Sequence, residues 1–271
     1  MTQPGMKFIS SIQNPEVRQI EHWNRKSRNR RRDGVFVLEG LRELQLALSG
    51  GYQPEKLYFC PEILDESVLN DILGLEDCSR ASLSPDVYGH LAYRGKTEGV
   101  IALMRTGDHR LQNLIWKRKN PLILVAEAPE KPGNIGALLR TADAAGLDAV
   151  LIADLKGDLY NPNIIRSSVG CLFTVPVAIG DSAEILDFLK TSDFQVLGAA
   201  LGASIPYHKA DYTRATAIVV GTEATGLTSV WKEGADQLIE IPMGGVIDSM
   251  NVSVAAAILI FEGLRQRGFP G

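Results

Sequence analysis

The sequence predicts an α/β protein in two parts. Three observations carry that expectation. The second half holds five short apolar runs, LILVAEA (122–128), AVLIA (149–153), QVLGAA (195–200), AIVVG (217–221) and LIEIP (238–242). Continuous runs of this kind suit strands of a parallel sheet covered on both faces. The first hundred residues alternate shorter strand-like and helix-like stretches, the pattern of a second α/β layer structure. At 271 residues the chain has room for one large domain or two ordinary ones, and we read two.

The elements follow in order. SIQNPEVRQIEHWNRKSR opens on an Asn-Pro turn and reads as a helix, and GVFVLEG (34–40) as a strand. LRELQLALSG places Leu41, Leu44 and Leu48 at helical spacing, and EKLYFC (55–60) is strand-like. PEILDESVLNDIL reads as a helix, SRASLS as a strand, PDVYGHLA as a helix and TEGVIALM as a strand. The polar, basic stretch RTGDHRLQNLIWKRKNP ends in another Asn-Pro pair. It divides the chain into a first domain (1–105), a linker (106–120) and a second domain (121–271). Between the strands of the second domain lie helices at 135–145 and 183–190, with a last helix at 252–267. That last helix, VSVAAAILIF at its core, is apolar nearly all round, so it calls for burial by the domain or by a second subunit.

Composition narrows the function classes. Hydrophobic residues make up 45% and charged residues 22%, as in an ordinary soluble domain. No apolar run reaches transmembrane length, and the start lacks the basic end and apolar core of a secretion signal. Cys60, Cys78 and Cys171 are widely spaced and odd in number, which predicts free thiols in a reducing cytoplasm. Neither they nor the four histidines show ligand spacing, so no metal is expected. The net charge of −4 hides the run WNRKSRNRRR (23–32), with six basic residues and no acid. Such a run fits phosphate contacts to nucleic acid, or equally a solvated helix face.

Three loops can carry chemistry. In EKPGNIGALLRTADAAG (130–146) a Gly-containing turn joins strand to helix, as in phosphate-binding units. The order Gly133-Asn134-Ile135-Gly136 breaks the dinucleotide fingerprint G-x-G-x-x-G, and only Asp154 could stand in for the ribose-binding acid. What remains is Asn134, an N-cap residue type at the helix start, and Arg140 among Ile135, Leu138, Leu139 and Ala142. Arg140 suits a phosphate grip, or a snorkelling or ion-paired arginine. In IVVGTEATGLTSVW (218–231) a strand ends at Gly221 and Glu223 follows in the loop. Glycine there lets a ligand approach the backbone, although a plain turn has the same composition. In IEIPMGGVIDSMNVSVAAAILIFEGLRQR (239–267) a glycine pair precedes Ser249-Met250-Asn251 and the apolar helix. Ser249 and Asn251 can cap that helix or present polar groups to a ligand.

Taken together, PGNIGALLRTADAAG, VVGTEATGL and IPMGGVIDSMNVSVAAA resemble, in order and spacing, the three motifs of the SpoU/TrmH family of RNA ribose 2′-O-methyltransferases in the SPOUT superfamily. NPEVRQI, RRRDGVFVLEGLRELQLAL and TEGVIAL are similar to that family's substrate-binding domain, so the resemblance covers nearly the whole chain. It implies a small, ribosomal-protein-like α/β first domain that binds RNA. It implies a second, catalytic domain with a parallel sheet and a deep trefoil knot. It further implies S-adenosylmethionine held bent in that knot by Gly221, Ile241, Met243 and Met250, with Ala199 near the adenosine.

By the same resemblance, Arg140 matches the motif arginine that activates the ribose hydroxyl, and Asn134, Glu223, Ser249 and Asn251 shape its pocket. A protonated guanidinium is a poor base, so phosphate anchoring and electrostatic activation are the favoured role. Arg25, Arg28, Arg30, Arg31 and Arg32 become an RNA handle, and Arg166 in NIIRSSVG matches a frequent family arginine near the RNA face. The chain departs from the family pattern at Met250 for Leu, Thr222 for Asn, and Lys131 for Asn or Asp. The resemblance also implies a homodimer with sites completed across two subunits, no metal and no membrane, and it favours ribosomal RNA. A transfer RNA substrate, or a non-catalytic RNA-binding protein on the same domains, stays open at this point. A nicotinamide-dependent oxidoreductase is disfavoured by the glycine spacing.

Overall fold

A computed structural model describes residues 6–72, 75, 78–92, 98–202, 205–222, 225–246 and 249–269. Leu73, Thr97 and Glu223, each part of a sequence-based expectation, lie outside the described residues. The chain forms two compact units, one of residues up to Gly107 together with Asp158–Thr174, the other of Asp108–Gly157 with Val175 onward.

The first unit is built from β1 (Lys7–Ile9), α1 (Pro15–Arg25), α2 (Ser27–Asp33), β2 (Val35–Glu39), α3 (Leu41–Ser49), β3 (Pro54–Phe59), α4 (Glu66–Asn70), β4 (Ser79–Leu83), α5 (Pro85–Leu91) and β5 (Val100–Arg105). Its strands order β1-β4-β3-β5-β2, parallel at β1/β4 and β4/β3, antiparallel at β3/β5 and β5/β2. Local chemistry sets the ends. Asn14 accepts from the Glu16 amide at 2.9 Å with Pro15 at the first helical position, and Ser84 with Pro85 does the same for α5. The helix expected over 61–73 shrinks to α4, because Asp65 caps it and starts it late. β1 was not expected: three residues show no periodicity, and only pairing with β4 makes them a strand. Val17, Ile20, Val37, Tyr58, Leu83 and Val87 pack the core under α1 and α5.

The second unit holds β6 (Leu122–Glu127), α6 (Pro132–Ala145) and β7 (Ala149–Ala153). After α7 (Pro162–Ser167), which belongs to the first unit, come β8 (Val177–Gly180), α8 (Ser182–Thr191), β9 (Gln195–Ala199), β10 (Ile205–Pro206), β11 (Thr216–Val220), α9 (Ser229–Gly234), β12 (Gln237–Glu240) and α10 (Val252–Gln266). The seven strands order β10-β12-β9-β11-β6-β7-β8 and every pairing is parallel. The five expected strands form the middle of this sheet; the short edge strands β8 and β10 carry too few residues to read. Part of the stretch read as a linker packs on this core: Leu111 is buried, and the Trp116 ring meets Phe194 edge-on at 5.2 Å between centroids. Among the described residues no helix is long and apolar enough to cross a membrane.

Asp158–Thr174, read from sequence as part of the second domain, is bound into the first unit by its side chains. Tyr160 stacks on Phe36 at 4.4 Å and Phe173 on the same ring at 5.6 Å, while the Tyr160 hydroxyl accepts from the Gly107 amide at 2.6 Å. Arg30 is 3% exposed and donates to Asp158 at 2.5 Å. It also donates to the carbonyls of Trp23 and Asn24 at the end of α1. A buried charge is tolerated only with such partners.

Candidate active site at the carboxyl ends of the second sheet

In an all-parallel sheet the loops that follow the strands gather at one edge, and ligands bind where the chain path reverses. Here the reversal falls between β6 and β11. From β6 the chain builds outward through β7 and β8, then returns to add β9, β11 and β12 on the other side. The loops after β6, β9, β11 and β12 therefore share one rim, and the three sequence motifs meet there.

Two clefts open on that rim. The larger, of about 530 Å3, is lined by Ala199, Gly221, Ile241, Met243 and Met250, with Ser249, Thr222 and Val252 among its other walls. The smaller, of about 220 Å3, is lined by Glu127, Glu130, Lys131 and Asn134 together with Gly221, Thr222 and Val252. Val220, Gly221, Thr222 and Val252 belong to both, so the clefts share a wall.

The loop after β11 is shaped by a glycine that nothing else can replace. A Cβ on Gly221 would sit 2.2 Å from the Gly226 carbonyl carbon and 2.5 Å from the Leu227 amide nitrogen. Thr222 and Gly226 close the turn with mutual backbone hydrogen bonds of 3.2 and 3.1 Å. The Thr222 hydroxyl accepts from the Thr225 amide at 3.1 Å. The far end of this loop is fastened by Glu127, a residue that sequence reasoning missed. Glu127 is 1% exposed at the end of β6, and its carboxylate accepts from the Thr228 amide at 3.0 Å and the Thr228 hydroxyl at 2.6 Å. The first and second motif loops are thus tied through a buried carboxylate. An isolated Glu at a strand end gives no sequence signal of this; only the β6/β11 pairing puts Thr228 within reach.

Asn134 and Asn251, far apart in sequence, meet: the Asn251 amide nitrogen donates to Asn134 Oδ1 at 3.2 Å. Asn251 also caps α10, its Oδ1 accepting from the Ser253 amide at 2.9 Å. Asn134 is not the cap of α6. That helix starts at Pro132 after Lys131, which puts Asn134 inside the first turn, facing the smaller cleft. Glu130 pairs with Lys156 at 2.9 Å, and this hydrogen bond, with Lys131 nearby, holds its carboxyl below the usual range.

Arg140 is exposed on α6 and lines neither cleft of its own chain. It stands six residues beyond Asn134, about 9 Å further along the helix axis. In the first unit, Arg25, Arg28, Arg31 and Arg32 are exposed, whereas Arg30 is withdrawn into the ion pair with Asp158. Arg166 is exposed on α7 and donates to Asn163 at 3.1 Å. The acid considered for a dinucleotide ribose is also committed: Asp154 accepts from the Ser182 amide at 3.3 Å and from its hydroxyl at 2.5 Å. Ser182 in turn accepts from the buried Trp231 indole at 2.9 Å. Asp154 therefore anchors the start of α8.

Residues 121–261 match the SpoU rRNA Methylase family, and residues 14–102 match the MRM3-like substrate binding domain. The chain is 31% identical to the 23S rRNA (guanosine(2553)-2′-O)-methyltransferase RlmP of Bacillus subtilis (strain 168), over 95% of this chain and 99% of that one. It is 28% identical to a 23S rRNA (uridine(2479)-2′-O)-methyltransferase of Streptomyces viridochromogenes, over 89% of this chain and 86% of that one. Among solved structures it is similar to an RNA 2′-O ribose methyltransferase, with a TM-score of 0.82 and 35% identity over 97% of this chain and 100% of that one. It is also similar to the SpoU methyltransferase AviRb from Streptomyces viridochromogenes in complex with AdoMet, with a TM-score of 0.85 and 25% identity over 94% of this chain and 98% of that one. With its three motif loops gathered on one rim of a parallel sheet and both halves of its sequence matched, the chain belongs to the SpoU rRNA methylase family.

Proposed function

We propose that the larger cleft takes S-adenosylmethionine and the smaller cleft takes the acceptor ribose, the two meeting along Gly221 and Val252. The chain is an S-adenosylmethionine-dependent RNA ribose 2′-O-methyltransferase, and its substrate is ribosomal RNA. One observation carries the cofactor assignment: the five residues expected to hold it from the resemblance, spread from Ala199 to Met250, line a single cleft. Its character also fits. Strand-end backbone at Ala199 and Gly221 faces apolar Ile241, Met243 and Met250, which suits a flat adenine beside groups needing main-chain hydrogen bonds. Met250 stands where the family has Leu, a swap of similar volume.

The cofactor supplies a methyl group already activated by a positive sulfur. The protein must then orient a ribose hydroxyl in line with that methyl and stabilise the charge that develops. Asn134 gives the smaller cleft a polar wall and is held there by Asn251, the cap of α10. Ser249 lines the larger cleft beside Met250. Arg140 anchors an RNA phosphate through its guanidinium and polarises the hydroxyl. Because it lies outside both clefts of its own chain, we assign it to the site of a second copy. The dimer is supported by α10, where Val254 and Phe261 are 50% and 44% exposed on one helical face, seven residues apart.

Three finer features complete the reading. The packing of α10 on α6, β11 and β6 supports the deep trefoil knot that the resemblance implies. The first unit, with the exposed arginines 25, 28, 31 and 32 and Arg166, is the RNA-binding domain. The protein works in the cytoplasm. The test of the activity is transfer of labelled methyl from S-adenosylmethionine to pools of unmodified ribosomal and transfer RNA. Label in a 2′-O-methyl nucleoside from ribosomal RNA is expected; label in a base, or in transfer RNA alone, would overturn the reading.

A further inference from the structure

The first unit contains a cavity of about 370 Å3 that plays no part in the chemistry described above. That volume falls within the roughly 300–1,000 Å3 range of small-ligand sites. Its walls are of two kinds. Val37, Leu91, Ile101 and Ile165 supply apolar surface, and Glu39, Glu43 and Glu98 supply carboxylates, with Arg42 and Arg166 also lining it. Both arginines are exposed.

The carboxylates converge at one point. Gly40 has φ +107°, and a Cβ there would lie 2.6 Å from a Glu43 carboxylate oxygen and 3.4 Å from one of Glu98. Glu98 is oriented by the first amides of α3, accepting from Leu41 and, at 3.4 Å, from Arg42. Among the described residues no hydrogen bond or ion pair engages Glu43, although its side chain is only partly exposed. Carboxylates facing one point present negative charge and can only accept hydrogen bonds. They reject a phosphate and favour a ligand edge with adjacent N–H donors. The apolar walls favour a flat ring over a hydrated cation.

Within an RNA-binding unit, an unstacked base meets both demands. Guanine is the base whose Watson–Crick edge offers neighbouring donors, the ring N1–H and the exocyclic amine, matched to the two oxygens of a carboxylate. We propose that this cavity takes an unstacked guanine of the RNA substrate, its Watson–Crick edge donating to Glu43 and Glu98 and its backbone phosphates reaching Arg42 and Arg166. The proposal rests on the RNA methyltransferase reading and adds a recognition point separate from the methylated nucleotide's cleft.

The experiment uses the full chain and a ribosomal RNA transcript that accepts labelled methyl from it, so that failure of the enzyme reading is seen first and separately. The transcript is made once with 6-thioguanosine and once with 4-thiouridine, irradiated in complex and mapped by mass spectrometry. Crosslinks from 6-thioguanosine to peptides containing residues 37–43 or 162–169 are expected, with 4-thiouridine giving few there. Glu43→Gln keeps the side chain's size and should weaken transcript binding about tenfold while leaving S-adenosylmethionine affinity within twofold. Arg42→Gln should weaken transcript binding less and reduce its salt dependence. A transcript that is methylated but crosslinks elsewhere, or is bound equally well by Glu43→Gln, would overturn the proposal.

Discussion

Gly221→Ala places one methyl group at the wall shared by the two clefts, and its consequence can be worked out from the turn it enters. The new Cβ would lie 2.2, 2.4 and 2.5 Å from three backbone atoms of Gly226 and Leu227. Reaching even a tight 3.0 Å needs a shift of about 0.8 Å (3.0 minus 2.2). No side chain can move to provide it, because the obstacle is main chain closed into a ring by the Thr222–Gly226 bonds and pinned at Thr228 by Glu127. Overpacking costs about 1–3 kcal/mol, and a rigid backbone obstacle puts this site at the upper end. About 3 kcal/mol of strain in the cofactor wall corresponds to an affinity roughly a hundredfold weaker. Two other glycines calibrate the effect. Gly226 has φ +66° but open space around it, so Gly226→Ala carries only left-handed strain of about 1–2 kcal/mol, near tenfold. Gly133, in the first turn of α6 with nothing within 4 Å, should accept alanine without loss. Calorimetric titration of S-adenosylmethionine into the three variants, each checked by circular dichroism, gives the ranking. Wild-type-like affinity in Gly221→Ala would refute the packing argument.

The remaining predictions are shorter. Arg140→Ala should lower turnover about a hundredfold or more, the scale of removing one electrostatic partner from a developing charge, with cofactor affinity kept within a few-fold. Phe261→Glu should give a monomer in sedimentation and the same catalytic defect; an active monomer would return Arg140 to its own chain's site. Replacing Arg25, Arg28, Arg31 and Arg32 with glutamine should flatten the salt dependence of RNA binding by up to about 0.9 for each phosphate no longer neutralised, and an unchanged slope would make that face merely solvated. Burial disfavours ionised Glu16, but hydrogen bonds from Lys56, Lys7 and Tyr58 outweigh it and bring its pKa from 4.5 down to about 2. A depressed folded pKa contributes stability that is intact above pH 4.5 and disappears as pH falls toward 2, so Glu16→Gln should lower the melting temperature at neutral pH and leave that of wild type and variant close at low pH. A gap that does not narrow with acid would contradict this.

The sequence by itself determined the central strands of both sheets, since apolar runs bounded by turn residues need no partner to be recognised. It also determined the three motif loops, whose residue types follow from local demands: a glycine at a crowded strand end, an asparagine at a helix start. The residues proposed for the cofactor wall came from the family resemblance, and only the fold brings Ala199, Gly221, Ile241, Met243 and Met250 to one cleft. Tertiary structure decided what depends on distant pairing. Only the adjacency of β6 and β11 turns Glu127 into the fastening of the loop at Thr228, and only the return of α10 onto α6 joins Asn251 to Asn134. Arg30 reads the same as its neighbours in a basic run, yet Asp158, 128 residues later, takes it out of solvent. Charge and periodicity are local properties of a chain; burial and hydrogen-bond partners belong to the fold, and they separate a structural arginine from one free to meet RNA.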